Sequence, residues 1–160
     1  MNRAYLLIGG NMGNRADFLA RARKGITDGV GELVNASALY QTEAWGLEGQ
    51  APFLNQALEI TTDLTAGSLL VSLLELEHTI GRIREIKYGP RSIDIDILFY
   101  NNEVVQEPGL TVPHPQIQNR RFALVPLAEI APSLLHPVLH KTVLQLLADC
   151  PDKLDVHKIS

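Results

Sequence analysis

Residues 81–97 read Gly-Arg-Ile-Arg-Glu-Ile-Lys-Tyr-Gly-Pro-Arg-Ser-Ile-Asp-Ile-Asp-Ile and hold the densest set of reactive side-chain types in the chain. Four of the ten residues from 82 to 91 are cationic, namely Arg82, Arg84, Lys87 and Arg91, with Glu85 partly offsetting them. Gly89-Pro90 marks a turn, so the cations sit on a loop. The alternation that follows predicts a strand over residues 93–100. Residues two apart on a strand share a face, about 6.6 Å from one another. Asp94 and Asp96 therefore project together, and Ile93, Ile95 and Ile97 point into a core. Two adjacent carboxylates repel one another and resist desolvation. A divalent cation offsets that cost, and magnesium is commonly held by one or two carboxylates together with substrate phosphates. Read alone, the loop is equally a solvated charged run, and the Asp face the exposed side of an edge strand. Carboxylates and arginines within fifteen residues of each other form the recurring equipment of phosphoryl transfer on a nucleoside triphosphate.

The elements around this segment predict one α+β domain spanning residues 1–160. Residues 4–8 read as a buried strand ending at Gly9-Gly10. Asn14 caps a helix, with Asp17 as its capping-box partner and Phe18, Ala22 and Ile26 on its apolar face. Residues 33–40 suit a second strand and residues 55–62 a third. Between them, residues 41–53 have Gly46, Gly49 and Pro52 but no periodicity, the profile of a functional loop. Thr65 caps a second helix with Leu69, Leu73, Leu76 and Ile80 in one stripe, stopped by Gly81. A short extended piece at 103–105 follows the Asp strand. Helices are expected over residues 121–130, kinked or shortened by Pro126, and over 141–148. Strand, helix, strand, strand, helix, strand is the ferredoxin-like split βαβ order, giving a mostly antiparallel sheet with helices packed on it and C-terminal additions.

Composition excludes several classes. The 160 residues carry 14 Lys+Arg against 18 Asp+Glu, a net charge of −4, so no global basic field attracts nucleic acid. The single cysteine, Cys150, rules out an intrachain disulfide and fits a reducing, cytoplasmic setting. The apolar run at residues 4–8 is too short for a secretory segment or a membrane span. Gly9-Gly10-Asn11-Met12-Gly13 lacks both the dinucleotide-binding spacing and a P-loop lysine, and reads as a tight strand–helix turn. His136 and His140 are four apart, but Pro137 spoils a helix between them, so they read as surface or packing histidines. Glu75 and Glu77 lie late in the second helix beside the cationic loop.

The run from Tyr88 to Leu98 closely resembles the G-P-R-x-x-D-x-D-[IL] signature of the 6-hydroxymethyl-7,8-dihydropterin pyrophosphokinases. The likeness extends to Leu110-Thr111-Val112-Pro113-His114, Asn119-Arg120-Arg121-Phe122, Gly9-Gly10-Asn11, Tyr40-Gln41-Thr42 and Phe53-Leu54-Asn55, in the family's order across nearly the whole chain. It implies transfer of a pyrophosphoryl group from ATP to the pterin hydroxymethyl group, yielding AMP and a pterin diphosphate for folate synthesis. By the family pattern, Asp94 and Asp96 hold two magnesium ions. Arg82, Arg84 and Arg91 occupy catalytic-loop positions, and Tyr88 stands where the family often has Trp. Thr111, His114 and Arg120 match nucleotide-contacting positions, with Leu70, Glu77 and Ile97 near the ATP. Phe53 and Phe122 match the stacking pair for the pterin, and Thr42, the backbone at Trp45 and Asn55 match its edge contacts.

Some positions depart from the pattern. Phe53 replaces a frequent Tyr, and the catalytic loop is one residue shorter than in well-known members. Gly109 stands where some members have an arginine, and Pro115 where some have Tyr. The resemblance implies a monomer acting on ATP and a small-molecule pterin in the cytoplasm, without nucleic acid or membrane. A ligand-sensing or RNA-binding module on the same fold would not consume ATP, and another magnesium-dependent kinase would release ADP.

Overall fold

The structure, a computed structural model, describes residues 1–43, 51–81 and 93–159. Its elements run β1 (Asn2–Gly10), α1 (Arg15–Gly29), β2 (Glu32–Ala36), β3 (Tyr40–Thr42), β4 (Phe53–Thr62), α2 (Ala66–Gly81), β5 (Asp94–Tyr100), β6 (Val105–Glu107), β7 (Leu110–Val112), α3 (Arg121–Ile130), α4 (Val143–Asp149) and β8 (Val156–Lys158), with a short 3-10 turn at Ile117–Asn119. The principal sheet follows the order β5-β1-β4-β3-β8, and β2 pairs with β4 alongside β3. Every strand pairing among the described residues is antiparallel. The β5-β1-β4-β2 core of this order is the expected split βαβ arrangement, in which β1 and β2 are separated by the strand between them.

Each face of the sheet has its own core, because successive side chains alternate across it. Ala4, Leu6 and Ile8 of β1, Leu54, Leu58 and Ile60 of β4, and Ile95 and Ile97 of β5 pack against Leu19, Ala22 and Ile26 of α1 and Leu69 and Leu73 of α2. On the other face Tyr5, Leu7, Ala57, Leu98 and Phe99 pack against Ala123, Leu124 and Leu127 of α3 and Val143 and Leu146 of α4. The expected C-terminal additions are thus the second helical layer. A register shift opposite Tyr5 and Leu6 lets consecutive Leu98 and Phe99 both join that second core. Gly25 lets α1 and α2 approach closely, since a Cβ there would lie 2.4 Å from a Leu76 methyl.

Several expected boundaries shift for local reasons. Residues 33–40 are two strands, because the Ser37 N–H and side chain bond to Ala57 and turn the chain between β2 and β3. The Asn14 side chain accepts from Asp17 N–H at 3.1 Å, which supplies half of the expected capping box. Leu19 fills the core slot expected for Phe18, which lies half-buried under the Arg21 guanidinium. The Thr65 hydroxyl caps α2 through Ser68 N–H. The extended piece after β5 starts at Val105 and pairs with β7 as a hairpin. Helix α3 spans Arg121–Ile130 with Pro126 inside it. Helix α4 begins two residues later than expected, behind a reciprocal Thr142–Gln145 capping box. His136 is buried against Phe99, with Nδ1 accepting from the Val138 and Leu139 N–H groups.

Leu58 is fully buried beneath α1 and α2. Leu58→Ala should lower the unfolding free energy by roughly 2–5 kcal/mol, read from the urea midpoint at unchanged slope. A loss under about 1 kcal/mol would mean that this face collapses to fill the cavity.

Candidate functional site

The strand register builds a polar row across one end of the sheet. Asp94 of β5 pairs with Gly9 of β1, Gly9 with Asn55 of β4, and Asn55 with Tyr40 of β3. Ile95, Ile8 and Leu54 face the α1/α2 core, so Asp94, Gly9 and Asn55 face the opposite side, where α3 packs. Asp96 shares this face one row further in, opposite Leu7. Phe53 shares it too, two residues before Asn55 and paired with Thr42. With strands about 4.8 Å apart, Asp94 and Asn55 lie about 10 Å from each other across Gly9.

Gly9 keeps that row open. A Cβ at this position would stand 2.0 Å from Asn55 Oδ1 and 3.1 Å from the Leu54 carbonyl. Its value is therefore the missing side chain, over which the Asn55 amide leans. Asn55 and Thr42 are buried, and Asp94, Asp96, Phe53 and Phe122 are half-buried. Phe122 lies in the first turn of α3, and the Arg120 guanidinium sits 5.7 Å from its ring centre.

A second group lines the outer edge of β5. The Glu77 carboxylate of α2 accepts the Ile95 N–H at 2.6 Å and so ties down the backbone between the two aspartates. The β6–β7 hairpin carries Thr111, exposed, and leads through the cis Val112–Pro113 bond to His114, whose N–H donates to the Leu98 carbonyl of β5. Burial and the neighbouring Arg120 push the His114 imidazole down to about 4, so the ring is neutral at pH 7. Its Nδ1 accepts from the Gln116 N–H at 3.1 Å, which leaves the proton on Nε2. Arg120 thus sits between His114 and Phe122 and joins the two groups.

Not every expected position falls in these groups. Leu70 and Ile97 belong to the α1/α2 side of the sheet, across β5 from the aspartate face. Trp45, Arg82, Arg84, Lys87, Tyr88 and Arg91 lie outside the described residues. Two residues escaped the sequence reading as supports. Asn11 Nδ2 donates to the Ala51 carbonyl at 3.0 Å, and an Arg15 guanidinium nitrogen donates to the Pro52 carbonyl at 3.0 Å. Both hold the stem directly before Phe53. No local spacing signals contacts made across some forty residues of chain.

Two half-buried carboxylates on a shared strand face are a donor set that suits magnesium when phosphate oxygens complete the shell. No cluster of three or more His, Cys, Asp or Glu occurs among the described residues.

The family profile described as 7,8-dihydro-6-hydroxymethylpterin-pyrophosphokinase matches residues 5–132. The chain is 39% identical over 141 residues to a 2-amino-4-hydroxy-6-hydroxymethyldihydropteridine pyrophosphokinase of Aquifex aeolicus, covering 88% of each chain. It is 46% identical over 137 residues to the enzyme of that name from Methylorubrum extorquens, covering 84% of this chain and 86% of that one. Among solved structures, wild-type Plasmodium falciparum HPPK-DHPS with pteroate matches with a TM-score of 0.73 at 16% identity over 92% of this chain. This chain spans 44% of that longer chain, and at such identity the likeness speaks to the fold. By sequence over most of its length, the chain belongs to the 7,8-dihydro-6-hydroxymethylpterin-pyrophosphokinase family.

Proposed function

We propose that this folate-biosynthesis pyrophosphokinase works as a magnesium-dependent enzyme, with Asp94 and Asp96 as its metal ligands and the Gly9–Asn55 row as the floor of its pterin site. The observation that carries the reading is the single row Asp94–Gly9–Asn55, which sets a metal-type carboxylate beside a buried amide with a gap between them. Phe53 and Phe122 supply two aromatic surfaces for a flat heterocycle, and Thr42 and Asn55 supply polar partners for its rim. The backbone at Trp45 completes that rim in the proposal.

The ATP site in this reading lies along the outer edge of β5, among Glu77, Thr111, His114 and Arg120, with Leu70 and Ile97 shaping its apolar side. Arg82, Arg84 and Arg91 bring cations to the phosphate oxygens, and Tyr88 lies against the nucleotide. Two magnesium ions, when bound, neutralise the triphosphate and polarise its phosphoryl oxygens. The pterin hydroxyl oxygen attacks the β-phosphorus in line. The bond from that phosphorus to the α–β bridging oxygen breaks, AMP departs with the bridging oxygen, and the hydroxyl proton passes to solvent water. Catalysis rests on positioning and charge neutralisation. His114, neutral with its proton on Nε2, contributes a hydrogen bond rather than a charge. The proposal extends to a single domain over 1–160 acting as a monomer in the cytoplasm, a reducing setting that the lone cysteine, Cys150, fits. No helix among the described residues is long and apolar enough to cross a membrane.

Three outcomes test this. Asp94→Ala and Asp96→Ala should each lower AMP formation from ATP and pterin on the order of a hundredfold or more, and chelation of magnesium should abolish it. Near-wild-type turnover in both variants, or release of ADP, would sink the assignment. Gly9→Ala should lower kcat/KM for the pterin at least about tenfold by displacing the Asn55 amide. Because the nearest obstacle is the Asn55 amide, adding Gly9→Ala to Asn55→Ala should cost less than Gly9→Ala does alone, the remainder reflecting the 3.1 Å approach to the Leu54 carbonyl. A folded pKa below the unfolded value means that only the unfolded chain gains the His114 proton between pH 6.5 and 4. Stability should therefore fall as pH drops through that window, less steeply in His114→Gln, and the His114 proton resonance should titrate near 4.

A further inference from the structure

We infer that Asp152 is a positioning residue for the pterin cleft, holding the first turn of α3 beneath Phe122 while the chain just after it holds Thr42. The inference rests on the reading above, in which Phe122 and Thr42 flank the pterin. Residues 152–158 lie beyond the 5–132 segment that matches the family, so that match assigns them no role.

Helix α3 starts without a cap of its own, since the Arg120 side chain makes no capping hydrogen bond. Asp152, half-buried and 31 residues downstream, supplies one: its Oδ2 accepts the Arg121 N–H at 3.1 Å. The other oxygen, Oδ1, accepts the Leu154 N–H at 3.0 Å, which fixes the turn that carries the chain toward β3. A carboxylate at a helix N-terminus also opposes the positive end of the helix dipole. The far end of α3 is held separately, by Glu129, which accepts the Tyr40 hydroxyl at 2.5 Å and the Ala38 N–H at 3.2 Å. Asp152 thus fixes the end that bears Phe122.

The same segment then sets the opposite wall. Thr42 donates its hydroxyl proton to the Asp155 carbonyl at 3.0 Å. Thr42 pairs with Val156, Gln41 with His157 and Tyr40 with Lys158. The Ile159 N–H donates to the Leu39 carbonyl at 2.9 Å and extends the clamp. With its proton committed, the Thr42 oxygen presents only lone pairs, so it recognises an N–H donor on the ligand rim. A cleft of about 300 Å³ lies between the end of β3 and this C-terminal segment, lined in part by Thr42, Pro52, Leu154 and Asp155.

The test is steady-state kinetics on the full chain, with Phe122→Ala as reference. Asp152→Ala should raise the pterin KM about tenfold, equivalent to about 1.4 kcal/mol, with kcat within about twofold of wild type. Asp152→Asn keeps one acceptor oxygen and should fall between the two. A merely structural role would lower kcat through the active fraction and leave the pterin KM of the surviving enzyme unchanged, and that result overturns the inference. If Phe122→Ala raises the pterin KM and Asp152→Ala does not, the clamp alone fails. If Phe122→Ala leaves it unchanged, the cleft reading fails and takes the clamp with it. Should Asp152→Ala not fold, calorimetry of pterin binding to Asp152→Asn beside a non-hydrolysable ATP analogue decides in the same sense.

Discussion

The register of β1 between β4 and β5 governs the rest of this structure. Strand β1 is buried from Ala4 to Gly10 and hydrogen-bonded on both sides, so each of its residues fixes what lies to its left and right. A slip of one residue would turn Leu6 and Ile8 out of the α1/α2 core and Leu7 out of the α3/α4 core at once. Two separate apolar cores therefore defend a single pairing. That pairing is also what brings Asp94 and Asn55 to either side of Gly9. The polar row inherits its rigidity from hydrophobic packing elsewhere on the same strands.

This explains why acidic and amide groups tolerate so confined a place. Burying Asn55 and Thr42 is costly unless they are hydrogen-bonded. Both stand where the sheet passes from full helical cover to the end bearing the connection before β4. Half-burial of Asp94 and Asp96 on an edge strand leaves part of each side chain at the surface. Glu77 adds a third carboxylate but points it at a backbone N–H, so it steadies the strand without joining the pair on its face.

Much of this was legible in the sequence, and the reason is periodicity. The Ile-Asp alternation of residues 93–97 announces a two-faced strand, and the Leu69/Leu73 spacing announces the helix behind it. The order of elements then restricts the sheet topology to few choices. What could not be read is whatever depends on contacts between distant parts of the chain. The break between β2 and β3 follows from Ser37 bonding to Ala57, 20 residues away. The choice of Leu19 over Phe18 for the core depends on how α1 meets the sheet. The role of Gly9 was hidden because its local setting, a strand leading into Gly9-Gly10, reads as an ordinary turn. Only the neighbour across the sheet shows that a side chain there would strike Asn55.

Helix α3 shows how the second core and the site are coupled. Its apolar face, Ala123, Leu124 and Leu127, is fixed on the sheet by burial, but burial is indifferent to small slides along the helix axis. Directional bonds at its two ends supply the missing restraint. Glu129 binds Tyr40, and burial together with that carboxylate pushes the phenol up to about 12, so the hydroxyl keeps its proton and remains a donor throughout the neutral range. Asp152 binds the opposite end. Because Tyr40 and Thr42 belong to the same three-residue strand, both restraints refer α3 back to one piece of backbone, β3, which itself is paired to Phe53 and Asn55 of β4. Phe122 is thereby set relative to Phe53 by hydrogen bonds rather than by apolar packing alone. Directional bonds fix such a spacing where area burial alone would not specify it.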